Sequence, residues 1–162
     1  MVHMSSEVQW LTPQEQHLWR GWLKLNTKLA SALHRELQQD AGLSMPDFEV
    51  LVHLTDNPEG RLRVSDLTGL LQWERSRVSH HVTRMECRGL VERAACSEDG
   101  RGAFVVITPQ GRIAIEEAAP SHVRAVRRLF FDALSEQEEV ALAAVMDKLL
   151  ARPNDAPTTV EV

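Results

Sequence analysis

Arg75-Ser76-Arg77-Val78-Ser79-His80-His81-Val82-Thr83-Arg84-Met85, with the residues that follow it, carries the clearest architectural signal in the chain. Val78, Val82 and Met85 recur at the four- and three-residue steps of one helix face, while Ser76, Arg77, Ser79, His80, Thr83 and Arg84 fall mostly on the other. The pattern stops at Gly89. Leu90-Val91-Glu92-Arg93 and Ala103-Phe104-Val105-Val106-Ile107 then read as two strands around the polar turn Ser97-Glu98-Asp99-Gly100-Arg101-Gly102. A shorter helical pattern near 64–71 precedes the first, separated from it by Gln72-Trp73-Glu74, a break without glycine. Two short helices followed by a basic-tipped hairpin make a winged helix-turn-helix. Such a layout points to double-stranded DNA, because a helix fits the major groove when its outer face carries short polar or basic side chains.

Outward from this segment, long helices flank it on both sides. Thr12-Pro13-Gln14-Glu15 is a capping box with proline where its missing N–H is harmless. It opens a helix to about Asp40, striped by Leu18, Trp22, Leu25, Leu29, Leu33 and Leu37, and Ala41-Gly42 ends it. That length exceeds what one small globule covers, which calls for a partner subunit. Ser44 caps a second helix with Phe48, Leu51, Val52 and Leu54 apolar, and Arg61-Leu62-Arg63 is a single edge strand for the later hairpin. Thr108-Pro109 opens a helix expected to reach about Ala133, with Pro120 inside it as a kink. Ser135-Glu136-Gln137-Glu138 is another capping box, ahead of Val140, Leu142, Val145, Met146, Leu149 and Leu150.

The expected fold is therefore mainly α with a small β-hairpin wing: a winged helix-turn-helix plus long N- and C-terminal dimerisation helices. The expected organisation is a flexible start (1–11), a dimerisation region from two segments (12–44 and 109–151), a DNA-binding domain (45–108) and a disordered tail (152–162).

Composition constrains the partner. The 162 residues carry 18 basic and 23 acidic side chains, a net charge of −5, which argues against binding nucleic acid over the whole surface. Residues 61–104 differ: eight arginines against six acids make them +2, leaving −7 for the remainder. One such segment is too weakly charged to bind tightly, so affinity has to come from pairing two. No apolar run approaches the roughly 20 residues of a membrane span, and residues 1–9 lack the features of a signal peptide. The two cysteines, Cys87 and Cys96, fit a reducing cytoplasm.

The run Arg75 to Arg93, then Asp99-Gly100-Arg101, then Ile107-Thr108-Pro109-Gln110-Gly111, resembles the MarR family of bacterial transcriptional regulators, and the likeness in architecture extends over about residues 12–151. The resemblance implies an obligate homodimer on a palindromic operator, with each reader helix in the major groove and each wing arginine in the minor groove. It also implies, commonly, release of DNA when a small ligand binds, and the chain as a whole reads as a repressor. Position by position, it assigns Arg77, Ser79, His80, Thr83 and Arg84 to bases or phosphates and Ser76 to phosphate at the helix start. Arg101 becomes the minor-groove arginine, with Asp99 orienting the wing. Arg75 belongs to the same surface, and Arg63 and Ser65 support backbone contacts. This chain departs from the family pattern at His81, where an apolar residue is usual, and at Gly100 and Gly102, which make the wing smaller.

Other residues invite sensing roles. Trp10, Trp19, Trp22 and Trp73 are four of eight aromatics. His17, Trp19, Trp22 and Trp73 are the candidate lining for a small aromatic or amphipathic effector, against the alternative that the tryptophans pack a dimer core. Cys87 and Cys96 support an alternative reading as a thiol-based redox sensor, and a third reading makes the winged helix a protein-interaction module. Among the seven histidines, His80 and His81 are adjacent and point apart on a helix, and no spacing requires His17, His34, His53 and His122 to converge. His81 reads as partly buried and hydrogen-bonded. No metal or cofactor is expected, and no motif of an enzyme is present.

Overall fold

The computed structural model describes residues 8–95 and 103–152. Six α-helices and one three-stranded antiparallel sheet make up these residues, so the chain is mostly helical with a small sheet. Two compact units divide it, 1–123 and 124–162.

The first unit begins with α1 (Pro13–Ala41), whose Thr12 and Glu15 form the expected reciprocal cap. Gly42 closes it in the left-handed conformation at φ 62°. Next, α2 (Met45–Asp56) starts on a second capping box, Ser44 with Asp47. Strand β1 (Arg61–Arg63) leads directly into α3 (Val64–Leu71), and α4 (Arg75–Cys87) follows. The α3–α4 turn is made without glycine. Gln72 itself takes the left-handed conformation at φ 53°, and its Nε2 donates to the Gly69 carbonyl at 2.6 Å.

Strands β2 (Val91–Ala95) and β3 (Ala103–Ile107) pair over five residues, from Val91 opposite Ile107 to Ala95 opposite Ala103. Strand β1 joins the other edge of β3, giving the order β1-β3-β2. Val50, Leu51, Leu54, Leu67, Val78, Val82, Met85 and Val105 are fully buried together in one core, flanked by Leu37, Leu43, Leu90 and Val91. Val78, Val82 and Met85 are the inward stripe read from the sequence. The core welds α4 to its scaffold through one apolar face and leaves the opposite face free.

Helix α5 (Pro109–Leu129) leaves the sheet and crosses from the first unit into the second. Gly111 is required at its start, since a methyl group there would collide with the Leu90 carbonyl. Helical backbone continues through Pro120, but α5 ends at Leu129, earlier than the expected Ala133. Phe130 leaves helical values (φ −129°, ψ −63°), and Phe131–Ala133 forms a 3₁₀ turn instead. The Phe130 and Phe131 rings meet edge to face at 5.2 Å there. In the second unit, α6 (Glu136–Leu150) begins on the expected Ser135–Glu138 capping box. No helix among the described residues is long and apolar enough to cross a membrane.

Candidate nucleic-acid interface

Helix α4 builds the candidate surface. Arg75, Ser76, Arg77, Ser79, His80, Thr83 and Arg84 are all exposed, while the opposite face is buried. The N-terminus of α4 has no side-chain cap: Glu74 occupies the cap position without a capping bond, and the first turn holds no acid. Helix α3, capped by Arg63, likewise lacks one. Helices α1, α2 and α6 all carry complete capping boxes. Helix α4 thus keeps its first-turn amides available to an anion, where the helix dipole favours negative charge, whereas α3 carries Asp66 in its first turn.

Several of these side chains are pre-positioned. The Arg77 guanidinium lies over the Trp73 ring at 4.1 Å from its centroid, a cation–π contact that holds the arginine beside the helix entrance. Arg84 Nη2 donates to His81 Nδ1 at 3.0 Å, so this arginine leans along the helix edge. Thr83 is already engaged: its hydroxyl donates to the Ser79 carbonyl at 3.0 Å and accepts from Arg93 Nη2 at 3.0 Å. Ser65 is exposed on α3, with its hydroxyl directed to Asp66 at 3.4 Å. Arg63 sits over the Phe104 ring at 5.4 Å, and Arg61 over the same ring at 4.7 Å.

Three residues that shape this surface were not among those singled out from the sequence. Arg93, in the middle of β2, donates to Glu86, to the Ser79 carbonyl and to Thr83, pinning the sheet to α4. Asp47 is buried on the first turn of α2 with a relative exposure of 2%. Arg88, just past the end of α4, donates to Asp47 Oδ2 at 2.6 Å and to the Gly42 carbonyl at 2.8 Å. A sequence signal for Asp47 exists in the Ser44-x-x-Asp47 spacing of a capping box, and it points to the cap alone.

His81 answers the departure from the family pattern. It is 5% exposed and packs edge-on against Trp73, with ring centroids 5.5 Å apart. Its Nε2 lies 3.0 Å from Asp47 Oδ1, close to the carboxylate though off the line of the N–H. Burial by itself would raise the Asp47 pKa. Contacts from His81, the Ser44 amide, Arg88 and the Ser44 hydroxyl outweigh burial and hold the carboxyl well below the usual carboxylate range. A polar ring beneath the reader helix is thus accommodated by a buried carboxylate.

Asp99, Arg101, Cys96, Gly100 and Gly102 lie outside the described residues, as do 1–7 and 153–162. The four proposed effector residues do not line one cavity. His17 borders a cleft with Pro13, Gln16 and Arg20, and Trp19 borders an adjoining one with Trp10 and Leu11 that shares Gln16 and Arg20. Trp22 is exposed on α1, whereas Trp73 packs under Arg77 and against His81. Cys87 is a free, exposed thiol in the last turn of α4. Among the described residues, no three His, Cys, Asp or Glu side chains converge as a metal site would require.

Comparisons with known proteins agree with this geometry. The model of the MarR family matches residues 41–102. A MarR family transcriptional regulator from Streptomyces coelicolor, solved in complex with DNA, superposes with a TM-score of 0.86 at 37% identity, covering 93% of this chain and 96% of that one. A second MarR family regulator from the same organism, AbsC, gives 0.84 at 38% identity over 88% of this chain and 96% of its own. An uncharacterised helix-turn-helix transcriptional regulator from Bacillus cereus is 28% identical over 131 residues, 79% of this chain and 85% of that protein. With a winged helix-turn-helix, a reader helix exposed along its polar face, and this degree of likeness over nearly the whole chain, the protein is a DNA-binding transcriptional regulator, not an enzyme, and belongs to the MarR family.

Proposed function

We propose that the protein is a homodimeric repressor that binds a palindromic operator and is released from it by a small aromatic or amphipathic effector. The observation that carries the DNA-reading assignment is α4. Its rear stripe of Val78, Val82 and Met85 is 0% exposed, while Arg75, Ser76, Arg77, Ser79, His80, Thr83 and Arg84 face solvent around an uncapped N-terminus. In this reading Arg77 and His80 meet base edges, and Arg75 and Ser76 meet phosphates at the helix entrance. Thr83 and Arg84 follow one turn further in, and Arg63 and Ser65 hold the backbone beside them. Arg101, oriented by Asp99, supplies the minor-groove contact.

Dimerisation through 12–44 and 109–151 rests on apolar side chains left uncovered in each unit. Leu18 is 73% exposed and Trp19 53% on α1; Val140 is 68% exposed and Leu150 81% on α6. Apolar surface of this kind marks an interface. Pairing two copies sets two reader helices about one helical turn apart, roughly 34–36 Å, so that both enter major grooves on one side of the duplex. An effector acts by favouring the dimer geometry that breaks this spacing, and only by as much as its affinity differs between the two geometries. His17 and Trp19, at adjoining clefts of α1, are the residues we assign to it, with Trp22 on the same helix and Trp73 beneath Arg77 as further contacts.

Fluorescence anisotropy with the duplex that the protein selects from a random-sequence pool tests the central claim. Affinity should fall steeply with salt, and Arg77→Ala should weaken binding by about 1–3 kcal/mol. Absence of binding to any duplex at low salt would remove the reading in favour of a protein-interaction module.

A further inference from the structure

We propose that Asp47 is a positioning residue for the reader helix: from the first turn of α2, its carboxylate sets how α4 is presented to DNA by tying the helix at its middle through His81 and at its end through Arg88. The inference rests on the DNA-binding reading above and adds to it a residue that touches no DNA.

The ties run along one edge of α4. Asp47 Oδ1 lies 3.0 Å from His81 Nε2, and Oδ2 lies 2.6 Å from Arg88 Nη1. His81 Nδ1 in turn meets Arg84 Nη2 at 3.0 Å. An arginine can only donate, so Nδ1 is the acceptor and Nε2 is the ring nitrogen that lies beside Asp47. The carboxylate thereby fixes the ring that orients Arg84, one of the proposed DNA contacts. Its post is rigid as well: Oδ2 accepts from the Ser44 amide at 2.9 Å, and the Asp47 amide donates back to the Ser44 hydroxyl at 3.2 Å.

Apolar packing does not do this work on that edge. The core holds the rear of α4 through Val78, Val82 and Met85, which bind the helix but are non-directional and tolerate small rotations. The edge bearing Arg77, His81, Arg84 and Arg88 instead borders an open cleft of about 560 Å³, with His34, Gln38 and Ser44 on the facing side. The hydrogen bond from Arg88 and the close approach of His81 to a buried carboxylate are what specify orientation there. Burying a carboxylate carries a desolvation cost that its pairing with the half-exposed Arg88 returns only in part, so keeping Asp47 beneath the reader helix is better explained by the geometry it imposes.

The test uses the full chain, the duplex selected by the wild type, and a random duplex of equal length. Asp47→Asn removes the charge while keeping the shape. Arg88→Lys keeps a charge in a residue that is largely solvent-facing but cannot span Asp47 and the Gly42 carbonyl together. Both variants should lose about tenfold in affinity for the selected duplex. Affinity for the random duplex should stay within twofold, and the dependence of binding on salt should keep its slope, because no phosphate contact is removed. A purely structural role would lower the unfolding midpoint without changing the ratio of the two affinities. If Asp47→Asn does not fold, Arg88→Lys decides alone. A folded Arg88→Lys that discriminates the two duplexes as well as wild type overturns the proposal. A wild type that binds neither duplex removes instead the DNA-binding reading beneath it.

Discussion

The hydroxyl of Thr108 donates to the carbonyl of Gly89 at 2.6 Å, binding the first residue of the α5 entrance to the residue that terminates the reader-helix segment. The same oxygen lies 3.1 Å from the Leu90 carbonyl and accepts from the Gly111 amide at 3.0 Å. One side chain therefore caps α5 and closes the loop in which α4 ends. Thr108→Val, nearly identical in shape, removes the cap and leaves carbonyls short of a partner. Urea denaturation should show a loss of about 1–2 kcal/mol. An unchanged midpoint would mean that the backbone contact from the Thr108 amide to Leu90 suffices.

Gln72 adopts φ 53° in the α3–α4 turn, where a side chain branched at Cβ is disfavoured. Gln72→Val should destabilise the protein by about 1–2 kcal/mol. Gln72→Gly should change stability little: glycine relieves the conformation but gives up the Nε2 bond to Gly69 and gains freedom in the unfolded chain. Equal losses in both variants would locate the effect in the hydrogen bond alone.

Asp47 should make the fold acid-sensitive. Its pKa is depressed in the folded chain, so its contribution is present above the unfolded-state value of about 3.9 and is lost as pH falls through the folded-state value. Wild type and Asp47→Asn should therefore differ most near neutrality, begin to converge below about pH 4 and meet only below the folded-state value. A stability difference that is constant down to the acid transition would contradict this.

His122 has the opposite chemistry and a different window. It packs against Phe48 with ring centroids 4.4 Å apart, and burial lowers its pKa. The unfolded chain takes up the proton first, so stability is complete above about pH 6.5 and declines as pH falls below it. His122→Leu should flatten the pH dependence of the denaturation midpoint between about pH 7 and 5. A parallel profile for the two proteins would assign that dependence to other groups.

Much of this protein is legible in its sequence because the relevant signals are local. Caps at Thr12, Ser44, Thr108 and Ser135, the Val78–Val82–Met85 stripe and the polar face of α4 each depend on residues within a few positions of one another. Local backbone sterics and helix periodicity suffice to read them. The run through Thr108-Pro109 extended α5 too far, since nothing local to Phe130 announces its departure from helical backbone. Local pattern was thus enough to specify the winged helix-turn-helix and the outward face of α4. What sits behind that face came from packing between distant segments. Arg88 finds Asp47 across 41 positions, and Arg93 finds Ser79 across 14. Neither pairing leaves a periodic trace, because contacts between distant segments depend on how the helices pack, and several carboxylates were equally available to each arginine until they did.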